Sequence, residues 1–321
     1  MAKEKKVQNK IMILPLPEEI QIEPTVRCNM KCIMCDTKAR HRAPDMPLKN
    51  FKRIVDQLQG VNTLGLHGLG ESLMNREFLD MVKYALLKKF KVRFNTNMSL
   101  MTDEIASELI EAGLTEIRFS IDAPNQQIYK QIRGVDLFQS VVERSKIFVR
   151  LRGERKTPHI KQVIVLMKEN YKHLNEMINL GKEIGVDEVF IQNMQSWSRP
   201  EFEENESKEH SVLGLPRGEL EKVFSGVRKN GIKVSLPPLE GGKYSCTWPY
   251  TGAWISVEGY LCPCCECHDP RILNFGNVLE EPIIELWNSS KYNKFRQDFN
   301  EGKAQICCDC ILKKGVFKTY G

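Results

Sequence analysis

Eleven cysteines in 321 residues carry the chain's most distinctive chemistry, and they are not scattered. Three stand in Cys28-Asn29-Met30-Lys31-Cys32-Ile33-Met34-Cys35, a C-x3-C-x2-C run. The other eight are Cys246, Cys262, Cys264, Cys265, Cys267, Cys307, Cys308 and Cys310, and none lies between Cys35 and Cys246. Two separate metal regions follow from that distribution. The first run comes just after an apolar, strand-like stretch at 20–26. A loop at a strand end can direct three thiolates at one centre. Three thiolates on a four-iron cluster leave one iron without a protein ligand. An open iron can take a substrate or cofactor, so this spacing points to catalysis rather than electron storage. The alternatives are a zinc site with His41 as fourth ligand, or three unrelated thiols. In the second region, four thiolates from two distant segments, two of them as C-x2-C, suit a tetrahedral zinc or an iron–sulfur cluster.

The elements that must position these groups are legible as an alternation. Strand-like runs at 20–26, 63–67, 91–96, 116–121, 161–167 and 188–194 are separated by stretches at 48–58, 77–88, 103–112, 137–150 and 175–184. The latter carry apolar residues at helical spacing, and Gly60, Gly113 and Gly185 sit where helices should stop. Strands alternating with helices predict an α/β fold with a parallel sheet, closed into a full or partial barrel or left flat. Ligands of such sheets bind at the C-terminal strand ends. A further helix at 215–229 and a short strand at 232–236 follow; Pro237-Pro238 and Gly241-Gly242 then break the pattern. The expected division is an N-terminal arm at 1–19, a barrel at 20–200, a linker at 201–240 and a cysteine-rich domain at 241–321. In the last, 254–261 reads as a hairpin turning at Glu258-Gly259 that brings Cys246 near Cys264. Helices at 283–287 and 292–299 return the chain to Cys307.

Several strand ends carry residues suited to a ligand. His67-Gly68-Leu69-Gly70-Glu71 offers glycines for close backbone approach and a carboxylate for an ammonium. Asn95-Thr96-Asn97-Met98 is a polar turn, and Ser120 and Asp122 alternate onto one side of their strand, with Arg133 further on. Gln192 is a polar exit from the sixth strand, and the acidic stretch 197–209 reads as a solvated loop or lid. The net charge of +6 is mild and spread along the chain, which argues against a nucleic-acid face. No apolar run is long enough for a membrane span. The basic start Met1–Lys6 is followed by no signal-type core, so a cytoplasmic location is expected.

The cysteine loop resembles that of radical S-adenosylmethionine (SAM) enzymes. In that family the cluster's open iron chelates SAM, whose reductive cleavage yields a 5′-deoxyadenosyl radical that abstracts substrate hydrogen. The resemblance implies a partial (β/α)6 TIM-type barrel and a 4Fe–4S cluster on Cys28, Cys32 and Cys35. It implies a SAM pocket from Gly70, Glu71, Thr96, Asn97, Ser120, Asp122, Arg133 and Gln192. Met34 stands at the position before the last cysteine, which is often aromatic in the family, and would lie against the adenine. Met98 stands where the family has Gly, and Ser72 where it often has Pro. The C-terminal cysteines resemble the auxiliary-cluster domains called SPASM and twitch. Cys246, then Gly259 with Cys264, the 274–278 turn, Trp287 and the Cys307/Cys310 pair match that pattern. The resemblance implies one auxiliary 4Fe–4S cluster on Cys246, Cys264, Cys307 and Cys310. Cys262, Cys265, Cys267 and Cys308 remain to replace one of these or hold a second cluster. The implied activity is oxidation of a sugar-like or aminocyclitol alcohol, with modification of a peptide side chain as the alternative. An external donor such as flavodoxin or ferredoxin would supply electrons. A non-catalytic zinc-binding interaction module is the reading from a different class.

Overall fold

The computed structural model describes residues 13–35, 44–194, 209–212, 215–229, 231–237, 246–307 and 310. Strands β1 (Glu19–Ile22), β2 (Thr63–Gly65), β3 (Lys91–Thr96), β4 (Glu116–Ser120), β5 (His159–Leu166) and β6 (Glu188–Asn193) are successive parallel neighbours. Helices α1 (Leu48–Val55), α2 (Phe78–Leu87), α3 (Asp103–Glu111), α4 (Gln126–Arg133), α5 (Phe138–Arg152) and α6 (Leu174–Ile184) come between them. After α7 (Arg217–Ser225), β7 (Lys233–Ser235) pairs parallel with β6. The short α8 (Trp248–Thr251) leads into β8 (Gly252–Ile255), which pairs parallel with β1 and antiparallel with β9 (Leu261–Cys262). The sheet order is therefore β7-β6-β5-β4-β3-β2-β1-β8-β9, an open curved sheet with α9 (Ile283–Trp287) and α10 (Ser290–Asn300) following.

The six expected strands and their helices are present, with strand ends trimmed by a few residues. The short strand expected at 232–236 is present and joins the sheet as a seventh parallel strand, and the cysteine-rich segment continues the same sheet through β8 on the far side of β1. Two helices, α4 and the single-turn α8, were not read from the sequence, and α4 is the one that shapes the site. The signals of α4 are local: Asn125 caps it by accepting the Ile128 N–H at 3.0 Å, and Gly134 ends it with φ of +70°. Packing of Tyr129 and Ile132 into the core holds it there. The expected domain boundary at 241, most of the 197–209 acidic stretch, His41 and Cys308 lie outside the described residues.

Strand alternation decides what reaches the site. On β3 and β4, Val92, Phe94, Ile117 and Phe119 are fully buried among the helices, where Phe94 meets Phe78 and Phe119 meets Phe148 edge to face. The residues between them, Arg93, Asn95, Arg118 and Ser120, line the opposite, concave face. The C-terminal segment is tied to the barrel by polar contacts as well. Trp287 Nε1 donates to the Pro15 carbonyl, and Arg53 and Gln57 of the α1 region donate to the Leu279 and Val278 carbonyls.

Candidate functional site

Cys28, Cys32 and Cys35 stand at the C-terminal end of β1 and line one cavity of about 280 Å³. What shapes their loop is the end of α4. Lys31 and Ile33 donate their N–H groups to the Arg133 and Ile132 carbonyls at 3.1 and 3.0 Å. A Cβ on Gly134 would sit 2.6 Å from the Lys31 carbonyl oxygen, so only glycine allows this contact. Arg133 is buried against the loop, with Nη1 3.6 Å from Cys32 Sγ and Nη2 donating to the Ser120 carbonyl. It also forms a buried ion pair with Asp122, whose other oxygen accepts the Val165 N–H at 2.7 Å. Burial pushes the Asp122 carboxyl up and Arg133 opposes that push. Ser120, Asp122 and Arg133 are thus brought together, but toward one another. Their arrangement makes them a strut under the cysteine loop, while they still form part of the cavity wall. Burial also raises the Cys28 thiol, and Arg133 is among the groups that counter it.

The second wall is the turn after β2. Glu71 donates its N–H to the Arg27 carbonyl, and a Cβ on Gly70 would fall 2.6 Å from that same oxygen. The glycine lets this turn lie directly on the start of the cysteine loop. The Glu71 carboxylate is buried and accepts from Thr96 Oγ1 at 2.8 Å, the Asn97 N–H at 2.7 Å and the Leu73 N–H at 3.4 Å. Burial raises its pKa, and these donors oppose the rise. Gly70, Glu71, Thr96 and Asn97 therefore form one unit, as expected. Met98 takes φ of +64° and donates its N–H to Thr96 Oγ1, so the left-handed turn expected of a Gly is kept by a buried Met.

Among the contributors missed in the sequence, two tie the walls together. Asn29, between the cysteines, donates to Ser99 Oγ at 2.8 Å and accepts from Asn97 Nδ2 at 3.0 Å, joining the loop to the turn after β3. Glu23 is fully buried and accepts the Leu69 N–H at 3.1 Å and the Val257 N–H at 3.3 Å, clamping the β2 turn to the C-terminal hairpin. An acid inside the apolar run 20–26 was its only signal. Met34 and Gln192 both reach the cavity, Met34 in an apolar patch with Met194 and Val165.

The far wall comes from the cysteine-rich segment, through Trp248, Trp254, Cys265 and His268. The thiols of Cys246 and Cys310 act electrostatically on Cys265, and that of Cys307 acts on Cys267. Cys264 instead feels Cys265, Cys267 and Glu266. The expected hairpin is present, with β8 and β9 paired antiparallel, and of its neighbouring cysteines Cys265 is the one that lines the cavity. Burial pushes the Cys267 thiol to about 12 and the Glu266 carboxyl to about 8. Glu266 Oε1 has no partner among the described residues. The buried thiols are soft donors of the kind that suit an iron–sulfur core. The three-thiol loop beside a buried carboxylate and a glycine-lined turn fits a cluster with a chelated amino acid.

A family model of the radical SAM superfamily matches residues 22–181, and one of an iron–sulfur cluster-binding domain, SPASM, matches residues 246–311. A tungsten-containing aldehyde ferredoxin oxidoreductase cofactor-modifying protein of Pyrococcus furiosus is 29% identical over 316 residues, 92% of this chain and 87% of that one. The mycofactocin maturase MftC of Mycobacterium tuberculosis is 25% identical, covering 89% of this chain and 74% of its own. Among solved structures, Streptococcus suis SuiB bound to precursor peptide SuiA superposes with a TM-score of 0.72 at 17% identity, over 95% of this chain and 71% of that one.

Proposed function

This chain belongs to the radical SAM superfamily and carries a SPASM domain, and on that premise we propose that it oxidises its substrate by two electrons in the cavity between its two cysteine regions. It is an enzyme, so the reading as a non-catalytic zinc module falls. When bound, SAM on a 4Fe–4S cluster supplies a hydrogen-abstracting 5′-deoxyadenosyl radical, and an auxiliary cluster supplies an electron acceptor. Cys28, Cys32 and Cys35 would hold the first cluster. Glu71, oriented by Thr96 and Asn97, would accept from the SAM ammonium. Gly70 would admit the backbone to close range, Met34 and Gln192 would lie beside the adenine, and Ser120, Asp122 and Arg133 would hold the loop from below. Cys246, Cys307, Cys310 and Cys265, in place of Cys264, would hold the auxiliary cluster.

The observation that carries the redox reading is the place of Cys265. It lines the same cavity as Cys28, Cys32 and Cys35. A substrate there lies between the two sites, so one electron can leave with the hydrogen atom and the second toward the C-terminal cysteines, with loss of a proton. The sugar-like or aminocyclitol substrate implied by resemblance stands beside a peptide or cofactor precursor. The maturase and cofactor-modifying relatives favour the latter. An external reductant of the flavodoxin or ferredoxin kind would start each cycle.

The test is a double readout on anaerobically reconstituted protein: 5′-deoxyadenosine release, and a product lighter by two hydrogens, across candidate peptides and cofactor precursors. Replacing Cys307 and Cys310 together with Ala should leave the first and abolish the second. Survival of both would end the oxidation reading.

A further inference from the structure

Barrel interiors are ordinarily packed with branched apolar side chains. Here the concave face beneath the cysteine loop is polar. Trp254, Gln21, Gly65 and Arg93 form one row across β8, β1, β2 and β3, and Asn95 stands opposite Arg118 on β4. Both arginines reach the cavity. Each has a carboxylate partner, Glu19 for Arg93 and Glu116 for Arg118, the latter at 2.6 Å. Neither Glu19 nor Glu116 is part of the cavity wall. By the strand register, each lies one side-chain step nearer the N-terminal strand ends than its arginine. The floor is therefore polarised, with guanidiniums toward the cavity and carboxylates behind them.

Around these cations are buried polar atoms that nothing among the described residues satisfies: Asn95 Oδ1, His67 Nδ1 and Trp254 Nε1. All three side chains line the cavity. Buried polar groups of folded proteins are nearly always paired, so three orphans in one cavity mark a place where a ligand completes the hydrogen bonding. His67 is neutral there, because burial and then Arg118 hold its pKa at about 3. The upper walls are apolar, with Leu69, Val163, Val165 and Met194.

We propose that this floor is a carboxylate-binding subsite of the substrate, Arg93 and Arg118 receiving the carboxylate while Asn95, His67 and Trp254 pair with polar groups beside it. Planar guanidinium forks match a carboxylate's two oxygens. Glu19 and Glu116 already offset part of each cation, so the remaining field suits one negative charge rather than a dianion. An aminocyclitol would bring an ammonium against two guanidiniums, a repulsive pairing. Within the function proposed above, on which this inference rests, the substrate is therefore an acid: a peptide terminus or acidic side chain, or a carboxylated cofactor precursor, with an apolar body along the upper wall.

The full chain, reconstituted without oxygen and loaded with SAM, is titrated calorimetrically with matched probes: N-acetyltyrosine against N-acetyltyrosinamide, and hexanoate against hexanamide. Each acid should bind about tenfold or more tighter than its amide, the range of a charge-assisted hydrogen bond. Arg118→Gln should remove that preference. Glu116→Gln, which strips a counter-charge from behind the floor, should strengthen acid binding. If Arg118→Gln does not retain its iron and melting behaviour, Arg93→Gln and Glu116→Gln decide. Equal or undetectable binding of acid and amide by the wild type overturns the proposal. So does an equal loss in the arginine and glutamate variants, the signature of a purely structural ion pair. Release of 5′-deoxyadenosine by the same wild-type preparation reports separately on the radical SAM reading.

Discussion

Replacing Glu71 by Gln tests the centre of the proposed SAM pocket at almost constant shape. An ionised carboxylate has about four lone-pair sites. In this structure three donors from the protein, Thr96 Oγ1, the Asn97 N–H and the Leu73 N–H, already occupy the Glu71 carboxylate. That leaves one site for an incoming ammonium. Glutamine keeps one acceptor oxygen and turns the other into a donor facing the Asn97 N–H. The lost charge-assisted bond is worth about 1.5–3 kcal/mol, or about tenfold to a hundredfold in SAM affinity. Iron content should not change, because Glu71 is no cluster ligand. A second arm uses pH. Burial raises the Glu71 pKa, and only the ionised form offers the ammonium a charge-assisted acceptor. Wild-type affinity should fall on acidification from above the usual Glu value of about 4.3, and the Gln variant should lack that phase. The assay is equilibrium binding of SAM to anaerobically reconstituted protein. A Gln variant within about twofold of the wild type, with the same pH profile, would refute the reasoning.

Three further outcomes follow from the geometry. Cys265→Ala should lose the auxiliary iron, about half of the total for two 4Fe–4S clusters, whereas Cys264→Ala should keep it; iron and sulfide analysis distinguishes them. Gly70→Ala drives a Cβ to 2.6 Å from the Arg27 carbonyl oxygen. The backbone must move, at a cost of about 1–3 kcal/mol, seen as a lower melting temperature with weakened iron binding at the first loop. His67 titrates at about 3 in the fold and at about 6.5 unfolded. The stability from its burial as a neutral ring is complete above the unfolded value and is lost as pH falls toward 3. His67→Gln should flatten denaturant-measured stability across that window, and an unchanged pH slope would show that His67 is not held neutral.

The sequence by itself determined the repeating unit, the two cysteine regions and the residues that meet around the turn after β2, because each is written locally. Helical and strand periods, a cysteine spacing and glycines beside an acid are all short-range patterns, and the strands and helices from Glu19 to Asn193 formed close to where those patterns put them. Tertiary structure alone decided how the pieces meet. Arg133 and Asp122 each read as ligand-facing, yet they pair with one another because α4 brings the guanidinium under the cysteine loop, where a buried charge needs an opposite charge. Cys264 and Cys265 are adjacent and chemically identical. That Cys265 and not Cys264 lines the cavity depends on the course of the chain after β9, and that course follows the pairing of β8 with β1 across more than 200 residues of sequence. The polar barrel floor has the same origin. Arg93, Asn95 and Arg118 are ordinary surface residues by composition, and only the curvature of the sheet turns their side of the strands into the inside of a cavity.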